Sequence, residues 1–319
     1  MKFSTSRLCS LFSAQVSFAA TIVLFVFAQS TANAQTAQWK FNEGDQFSVT
    51  MTQSSEITSN LTLADVDDQD KIGRTARSEL ILDMDWQVTA IEDGNAIVEQ
   101  TISRIRVVAD TGSASEDEIS IDTSSDDPLR GIAGSLRTQM KSLIGLAFDV
   151  TMSPRGEVID VTVSDETQEA LRAIPGSMQI RQMMTAESMA DLYGQAVVVL
   201  PEDSLEEGQP WETSAQIGTA MGAVSRTNRY TFAGMQEVDG RSLASFDVVT
   251  TLEPVATEGE TPESRLVDFE GGGTMMMDLE AGHFVSSTAS NVMNTEREYF
   301  DKTIVTTVSS DVEMQIEKK

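Results

Sequence analysis

The side chains best suited to chemistry lie in one stretch near the C-terminus. Met275, Met276 and Met277 are consecutive, and His283, the single histidine of the chain, follows six residues later. Thioether and imidazole groups together can bind a soft metal ion such as Cu(I). In a strand, however, Met275 and Met277 point to one face and Met276 to the other, so the three sulfurs do not converge. We therefore expect a β-hairpin whose methionines fill core positions, with no metal and no cofactor.

A calcium loop is the second possibility for metal chemistry. From Asp68 the sequence reads "DQDKIGRTARSE", with Asp70, Gly73 and Glu79 at the spacing of an EF-hand loop. Ile72 stands where that loop needs an oxygen ligand, and a strand pattern rather than a helix follows Glu79. The stretch is therefore interpreted as an acidic surface loop.

Most catalytic classes lack their residues here. The one cysteine, Cys9, lies in the N-terminal segment, and no G-x-S-x-G motif occurs. The 50 acidic residues leave a carboxylate-dependent hydrolase open, although only 6% of the residues are aromatic, and sugar hydrolases normally bind their substrates on aromatic rings. The net charge of −28 disfavours nucleic acid as a partner, because it repels phosphate backbones.

The N-terminus has the pattern of an export signal. Lys2 and Arg7 precede an apolar run at 16–28, and "ANA" at 32–34 supplies the small residues before a cleavage point. The run is too short to span a bilayer as a helix. We expect residues 1–34 to be a signal peptide, the protein to be periplasmic or extracellular, and no transmembrane span to remain after cleavage.

Strand patterns dominate the rest of the chain. Apolar residues alternate with polar ones in the stretches at 80–88 and 304–316, as in a sheet with one buried and one solvated face. Asp-Gly pairs at 93–94 and 239–240 separate such runs and predict hairpins. The sequence therefore predicts a mainly β (α+β) fold, in which antiparallel hairpins form a curved sheet, a half-barrel or a sandwich.

Two helical stretches interrupt the strands. The first covers 127–145, with Asp127 as N-cap, Pro128 in the first turn and Gly145 at the end. The second covers about 165–195 and is broken at 175–176 by Pro-Gly. We expect an N-terminal β-rich half at 35–163, a helical connector at 164–200 and a C-terminal β-rich half at 201–319. The two halves have a similar order of hairpins, which is typical of a duplication but also of any chain with many hairpins.

The helix at 127–145 is the one candidate contact surface. It carries basic residues and no acidic ones from Pro128 to Ala147 in a chain that is otherwise strongly acidic. Such a helix could contact an anionic surface or an acidic partner, or pack on the sheet with its basic side chains paired within the chain. The candidate surface or ligand contacts are Leu129, Arg130, Ile132, Leu136, Arg137, Met140 and Lys141.

Three segments resemble a family of uncharacterised secreted bacterial proteins that is well represented in planctomycetes. They are "WKFNEGDQFSVTMTQ" from Trp39, "DVTMSPRGEVIDV" from Asp149 and "MMMDLEAGHFVSS" from Met275. The family opens with W-K-F-x-x-G-D after its export signal, and the resemblance implies no activity. More distantly, the architecture is similar to half-barrel carriers of lipoproteins and lipids in the bacterial envelope, a likeness of fold alone.

We expect a non-catalytic exported protein that binds an apolar ligand or an envelope component. A structural or interaction protein of the cell envelope is the alternative, and a carboxylate-dependent hydrolase is a further one. The ligand or protein partner itself is not identified by the sequence.

Overall fold

A computed structural model describes residues 37–63, 72–112, 118–173, 198–219, 222–255, 264–299 and 302–319. These residues belong to one compact unit, Ala34–Lys319. The predicted signal peptide at 1–34, residues 68–71 of the EF-hand-like stretch and the part of the second helical stretch after residue 173 lie outside the described residues. Residues 72–79 of the EF-hand-like stretch belong to a strand and not to a surface loop.

The described residues form one antiparallel sheet of twelve strands and two short helices. The strands of the first half are β1 (Gln46–Leu63), β2 (Ile72–Glu92), β3 (Asn95–Asp110), β4 (Ile119–Asp122), β5 (Ala147–Met152) and β6 (Val158–Val163). Those of the second half are β7 (Pro210–Thr219), β8 (Gly222–Val238), β9 (Arg241–Pro254), β10 (Arg265–Asp278), β11 (His283–Tyr299) and β12 (Lys302–Lys318). The helices are α1 (Gly131–Lys141) and α2 (Asp165–Ala173).

The strand order is β6-β5-β3-β2-β1-β12-β11-β10-β9-β8-β7, and β4 pairs with β3 beside β5. Each half is a meander of hairpins, and the pairing of β1 with β12 joins the halves into a single sheet. This confirms the mainly β fold of antiparallel hairpins. Among the predicted architectures the curved sheet or half-barrel is the observed one, because the described strands form one sheet rather than two stacked ones.

The two Asp-Gly hairpins have the predicted geometry. Asp93 and Gly94 have φ angles of 49° and 83°, and Asp239 and Gly240 have φ angles of 50° and 75°. Two successive positive φ values define a type I′ turn, whose twist matches that of the strands it joins. The β2–β3 and β8–β9 hairpins therefore use the same turn in the two halves of the chain.

The sheet is curled, and its two edges come together at one end. The side chain and backbone of Arg155, in the β5–β6 turn, bond to Leu200 at 2.7 and 2.8 Å. One residue earlier, Val199 accepts a 2.7 Å hydrogen bond from the indole of Trp211 on β7. A flat sheet would hold these edges about 48 Å apart, at about 4.8 Å per strand, so the sheet must curve strongly to place both against one short segment. We call this end of the molecule the base.

The face that turns inward, here called the interior face, carries the core. Phe47, Val49 and Met51 on β1 are buried on it, and Phe47 and Val49 belong to one hydrophobic cluster with residues of the neighbouring strands. The opposite face is called the exterior face. Segment 37–42 completes the base, because Trp39 bonds to Pro154 and Lys40 to Gly282 through their backbones, both at 2.8 Å.

The first predicted helix is shorter than its sequence pattern. Helix α1 begins after Arg130, whose extended backbone (φ −121°, ψ 163°) marks the N-cap, and no side chain caps it. The prediction of Asp127 as N-cap and Pro128 in the first turn was therefore wrong. Asp127 instead accepts a hydrogen bond from the Ser125 hydroxyl in the turn that leaves β4. Gly145 does lie just beyond the helix, with a φ of 83°.

Candidate functional site

The base of the interior face is filled by aromatic rings from both halves of the sheet. Trp39 stacks on Phe41 with 4.9 Å between ring centroids and lies 5.1 Å from Phe284. Phe284 in turn lies 6.2 Å from Phe246, which is 6.0 Å from Trp211. These offset and edge contacts form a continuous chain of rings across the base, which is thus a packed core rather than an open site.

The methionine and histidine stretch belongs to this core. Met275 and Met277 are 3% and 0% exposed on the interior face, as the hairpin interpretation predicted. The ring of His283 packs against Phe47 at 5.6 Å. Burial lowers the pKa of His283, and this outweighs the backbone hydrogen bond at Ala281 and the attraction of Asp278, which raise it. The imidazole is therefore held in its neutral form.

Above the base, the large apolar side chains of the interior face give way to one row of small or polar residues, which are paired in register across the sheet. The row crosses seven neighbouring strands, from β2 through β1 and β12 to β8, and each of its side chains is small or hydrogen-bonding. We call it the polar belt: Ser78, Ser55, Ser310, Asn291, Gly271, Thr250 and Asn228. Hydroxyl and amide groups do not enter an apolar core without hydrogen-bond partners, so the apolar core gives way to a polar layer at this belt.

The next row along the strands is apolar again but is not packed into the core. It comprises Ala76, Ile57, Val308, Met293 and Phe269, each paired in register with its neighbour. Ile57 is 44% exposed, although it lies on the same face as the buried Met51. Leu252 on β9 and Arg226 on β8 pair with each other beside this row. We call the row together with these two residues the upper row. It presents apolar side chains on an inward-curving face, and among the described residues none of these side chains belongs to the hydrophobic core cluster.

The upper row and the polar belt meet in a cavity of about 190 Å³ between β7 and β11. Its apolar lining comes from Ile217, Leu252, Phe269 and Met293. Its polar lining includes Arg226, Asn228, Thr250 and Asn291. A concave site with mostly apolar walls and a few convergent polar groups is the usual form of a small-molecule site.

Local hydrogen bonds hold the polar wall of this cavity in place. The Asn228 amide donates to the Tyr230 hydroxyl at 3.2 Å and accepts from the Thr250 hydroxyl at 2.9 Å. Arg226 and Asn228 are both 7% exposed. Because these side chains are buried and fixed by neighbours, the wall is preorganised rather than free to collapse.

Two of the three consecutive glycines of β10, Gly271 and Gly272, line the floor of the cavity. The ring of Phe269 lies over Gly271, where an added Cβ would meet it at 2.7 Å. At Gly273 an added Cβ would instead overlap the carbonyl oxygen of Thr288 on β11. Glycine inside a strand often marks such a close approach, and here it admits an aromatic ring at one position and a backbone at the other.

The sequence-predicted contact helix lies elsewhere. α1 has no buried residue, and Ile132 is 71% exposed. Leu129, Leu136, Arg137 and Met140 are half-buried, while Arg130 and Lys141 are exposed. Lys141 pairs with Asp126 at 3.2 Å. None of these seven residues lines the 190 Å³ cavity.

Sequence reasoning missed the cavity itself. Its clearest signal was present in β8, where "VSRTNRY" places Arg226 and Asn228 at the same alternation as Val224 and Tyr230. A charged residue and an amide at core-facing positions signal a buried polar site. The row of small polar residues is visible only once the register of seven strands is known.

A second depression lies on the exterior face. It has a volume of about 450 Å³ and is lined by acidic side chains around Arg77, whose Nε donates to Glu56 at 2.7 Å. The acids are Glu56, Glu79, Asp110, Glu118 and Asp311. Among the described residues, no three His, Cys, Asp or Glu side chains are grouped so that they could hold a metal ion. Within the same residues, no helix has both the length and the apolarity needed to cross a bilayer.

Fold and site together define a curled, open antiparallel β-sheet protein with a packed base and a partly filled interior. The chain belongs to the family of unknown function DUF6263, whose family model matches residues 93–281. That match includes the segment at 149–161 quoted above but not the W-K-F-x-x-G-D opening at 39–45. No curated protein matches the sequence.

Solved structures give low similarity. Lipovitellin, in a structure of its lipid–protein interactions, is 14% identical with a TM-score of 0.39, covering 87% of this chain and 25% of that one. The chain thus spans about a quarter of the lipovitellin chain. An outer membrane channel from Pseudomonas putida F1 is 9% identical with a TM-score of 0.23, covering 88% and 97% of the two chains. Such low TM-scores carry no functional assignment.

Proposed function

We propose that the protein is an exported, non-catalytic binding protein that holds an apolar ligand on the upper row of its interior face. The observation that carries the proposal is the change along the strands from a buried core to uncovered apolar side chains. Ile57 and Met293 face the same curved interior as Phe47 and Met275, yet among the described residues they stand outside the hydrophobic core cluster to which Phe47 and Met275 belong. Uncovered apolar surface of this kind commonly marks a binding site.

Export is part of the proposal and rests on the N-terminal pattern at 1–34. We propose the periplasm or the exterior of a bacterial cell as the location, as for the secreted family that the sequence resembles. Expression with residues 1–34 in place, followed by mass spectrometry of the purified protein, tests this. A mass equal to that of residues 35–319 supports export, whereas a cytoplasmic protein that retains residues 1–34 contradicts it.

Native mass spectrometry of the same preparation tests ligand binding directly. A stoichiometric small molecule that is released on denaturation would support the proposal and identify the ligand. For a ligand-free preparation, the neutral apolar dye N-phenyl-1-naphthylamine serves as the probe, because its fluorescence rises when it enters an apolar site.

A matched pair of variants locates the site. Ile57→Asp introduces a charge on the interior face, and Val292→Asp introduces the same charge on the exterior face at a comparable exposure, 44% against 37%. We expect Ile57→Asp to weaken dye binding at least tenfold and Val292→Asp to leave it unchanged. Equal binding by both variants and the wild type, or no binding by the wild type, would overturn the proposal.

Interaction with an envelope component through α1 is a second candidate function. The observation that favours it is the exposed Ile132 beside Arg130 on a helix without a buried residue. Ile132→Ser combined with Arg130→Ser is expected to reduce co-sedimentation with anionic phospholipid vesicles, without an effect on dye binding. Unchanged co-sedimentation would remove this candidate.

A further inference from the structure

We propose that the ligand of the interior site is an amphiphile with an acidic group, and that Arg226 binds this group. The inference rests on the proposed function, since it names the chemical class of the ligand that the same site would take. Fatty acids and other amphiphiles with a single carboxylate on an apolar body belong to this class.

The position of Arg226 is the first argument. It lies on the interior face of β8, is 7% exposed, and lines the cavity together with Leu252, its register partner on β9. From the wall of the cavity its guanidinium presents N–H donors to a bound molecule, and such donors form their strongest hydrogen bonds with anionic acceptors. An arginine in the wall of a ligand-sized cavity therefore favours a ligand that carries a negative charge.

Charge complementarity is the second argument. Arg226 is the one ionisable side chain among the described residues that line this cavity, and no carboxylate is among them. The rest of the chain is strongly acidic, with a net charge of −28. The described lining of the cavity therefore contributes one cation and no anion, which disfavours a cationic ligand there.

The geometry of a guanidinium allows this role even beside a protein partner. Arginine presents five N–H donors in a planar fork and accepts no hydrogen bond. A carboxylate uses two of these donors in a bidentate pair, which leaves donors for a neighbouring protein group. Binding of a ligand acid by Arg226 therefore does not require that the side chain be otherwise unengaged.

Arg226 has polar groups beside it and an apolar wall opposite, as the binding of an amphiphile requires. The polar belt continues beside it with Asn228 and Asn291, whose amide N–H groups can donate to an oxygen of the acid. Ile217, Phe269 and Met293 form the opposite, apolar wall. A cavity of about 190 Å³ admits a ring or a short chain segment, as a comparably sized apolar cavity of about 150 Å³ admits benzene. Any longer part of the ligand would lie along the upper row towards Ile57.

Decanoate and decanol are the probes that test the inference, because they share an apolar chain and differ in the acid. Both are titrated below micelle formation against the full chain, by displacement of N-phenyl-1-naphthylamine. We expect decanoate to bind at least tenfold more tightly than decanol. Equal affinities would overturn the inference without affecting the proposed function, whereas no displacement by either probe together with no dye binding would overturn the proposed function itself.

Two substitutions on the same strand assign the acid preference to a residue. Arg226→Met removes the charge but keeps a side chain of similar length. Arg229→Met makes the same change on the exterior face, where the arginine side chain is 57% exposed. Arg226→Met should reduce the affinity for decanoate to about that for decanol, whereas Arg229→Met should keep the preference for decanoate. Arg226→Lys retains a cation without the fork and is expected to retain part of the preference, which guards against a folding defect of the methionine variant. Retention of the full preference in Arg226→Met would contradict the inference.

Discussion

The base and the upper row are built from the same strands, yet they are packed in different ways. On β1, Phe47, Val49 and Met51 are buried, whereas Ile57, six residues beyond Met51 on the same face, is 44% exposed. The difference in burial depends on which residues lie opposite these side chains in the interior. At the base, segment 37–42, the 198–200 segment and rings from both halves fill the interior, while above the polar belt the described residues place no such layer over the upper row.

One continuous sheet can thus supply stability at one level and a binding surface at another. The aromatic chain and the buried methionines at the base bury apolar area, which is the dominant favourable term in folding. The upper part can then keep apolar side chains available to a ligand. The polar belt separates the two levels, because its hydroxyl and amide groups do not join an apolar core without partners.

The strongest test of the comparison truncates one phenylalanine at each level. Phe246→Ala at the base should lower the free energy of unfolding by about 3–5 kcal/mol, as for buried aromatic residues. Phe269→Ala in the cavity should lower it by about 1 kcal/mol, because that ring is only half-buried. Urea denaturation followed by circular dichroism measures both, and equal losses would show that the upper part is packed like the base.

The next test uses the glycines of β10. Gly273→Ala should cost about 1–3 kcal/mol, since its Cβ would overlap the Thr288 carbonyl and neither backbone can move freely. Gly271→Ala should cost less, because the Phe269 ring above it can rotate away. That rotation would reshape the cavity, so we expect Gly271→Ala to weaken dye binding although its melting temperature stays close to that of the wild type. A larger stability loss in Gly271→Ala than in Gly273→Ala would contradict this view of the floor.

A smaller effect is expected where segment 37–42 closes the base. The Lys40 ammonium donates to the carbonyl oxygens of Leu279 and Glu280 at 2.9 and 3.1 Å in the β10–β11 turn. Lys40→Met removes both bonds but keeps the aliphatic contact, and should lower the free energy of unfolding by about 1 kcal/mol. Thermal unfolding measures it, with Lys302→Met, outside the base, as the control. No change in Lys40→Met would mean that the turn is held by the backbone bond to Gly282 alone.

The smallest effect concerns the pH dependence of the base. Burial lowers the pKa of His283, so the unfolded chain takes up a proton at this residue before the folded chain does. The stability of the fold should therefore fall as the pH decreases below about 6.5, the ordinary pKa of histidine. His283→Gln cannot titrate and should lose less stability between pH 7 and pH 5. Parallel pH profiles for the two proteins would show that the ring is not held neutral by its burial.

Several parts of the fold were accessible from the sequence because they depend on local chemistry. Asp-Gly pairs at 93–94 and 239–240 formed the expected turns, since few dipeptides accept two positive φ angles. The alternation around Met275 and Met277 correctly placed both in the core. The helix start at Asp127 was wrong because the local cap signal competed with β4, which pairs with β3, and with the turn that follows β4, so the chain becomes helical only after Arg130.

The candidate site was not accessible in the same way. The sequence directed attention to α1, the visible amphipathic helix, and the role of its residues as contacts stays a prediction. The cavity draws on side chains from Ile217 to Met293 that lie on five strands. No local pattern relates these positions, because their contact depends on the register between strands and not on spacing along one of them.

Local sequence patterns specify that the chain forms antiparallel hairpins, where several of them turn, and which residues of several strands face inward. Those features follow from side-chain alternation and from the backbone freedom of glycine, both of which act over a few residues. Three other features are visible only in the folded chain: the hairpins join through β1 and β12 into one curled sheet, the edges of the sheet meet at the base, and part of the polar belt lines one cavity together with Arg226. Curvature and register are set by packing across the whole sheet, so they belong to no single segment of the chain.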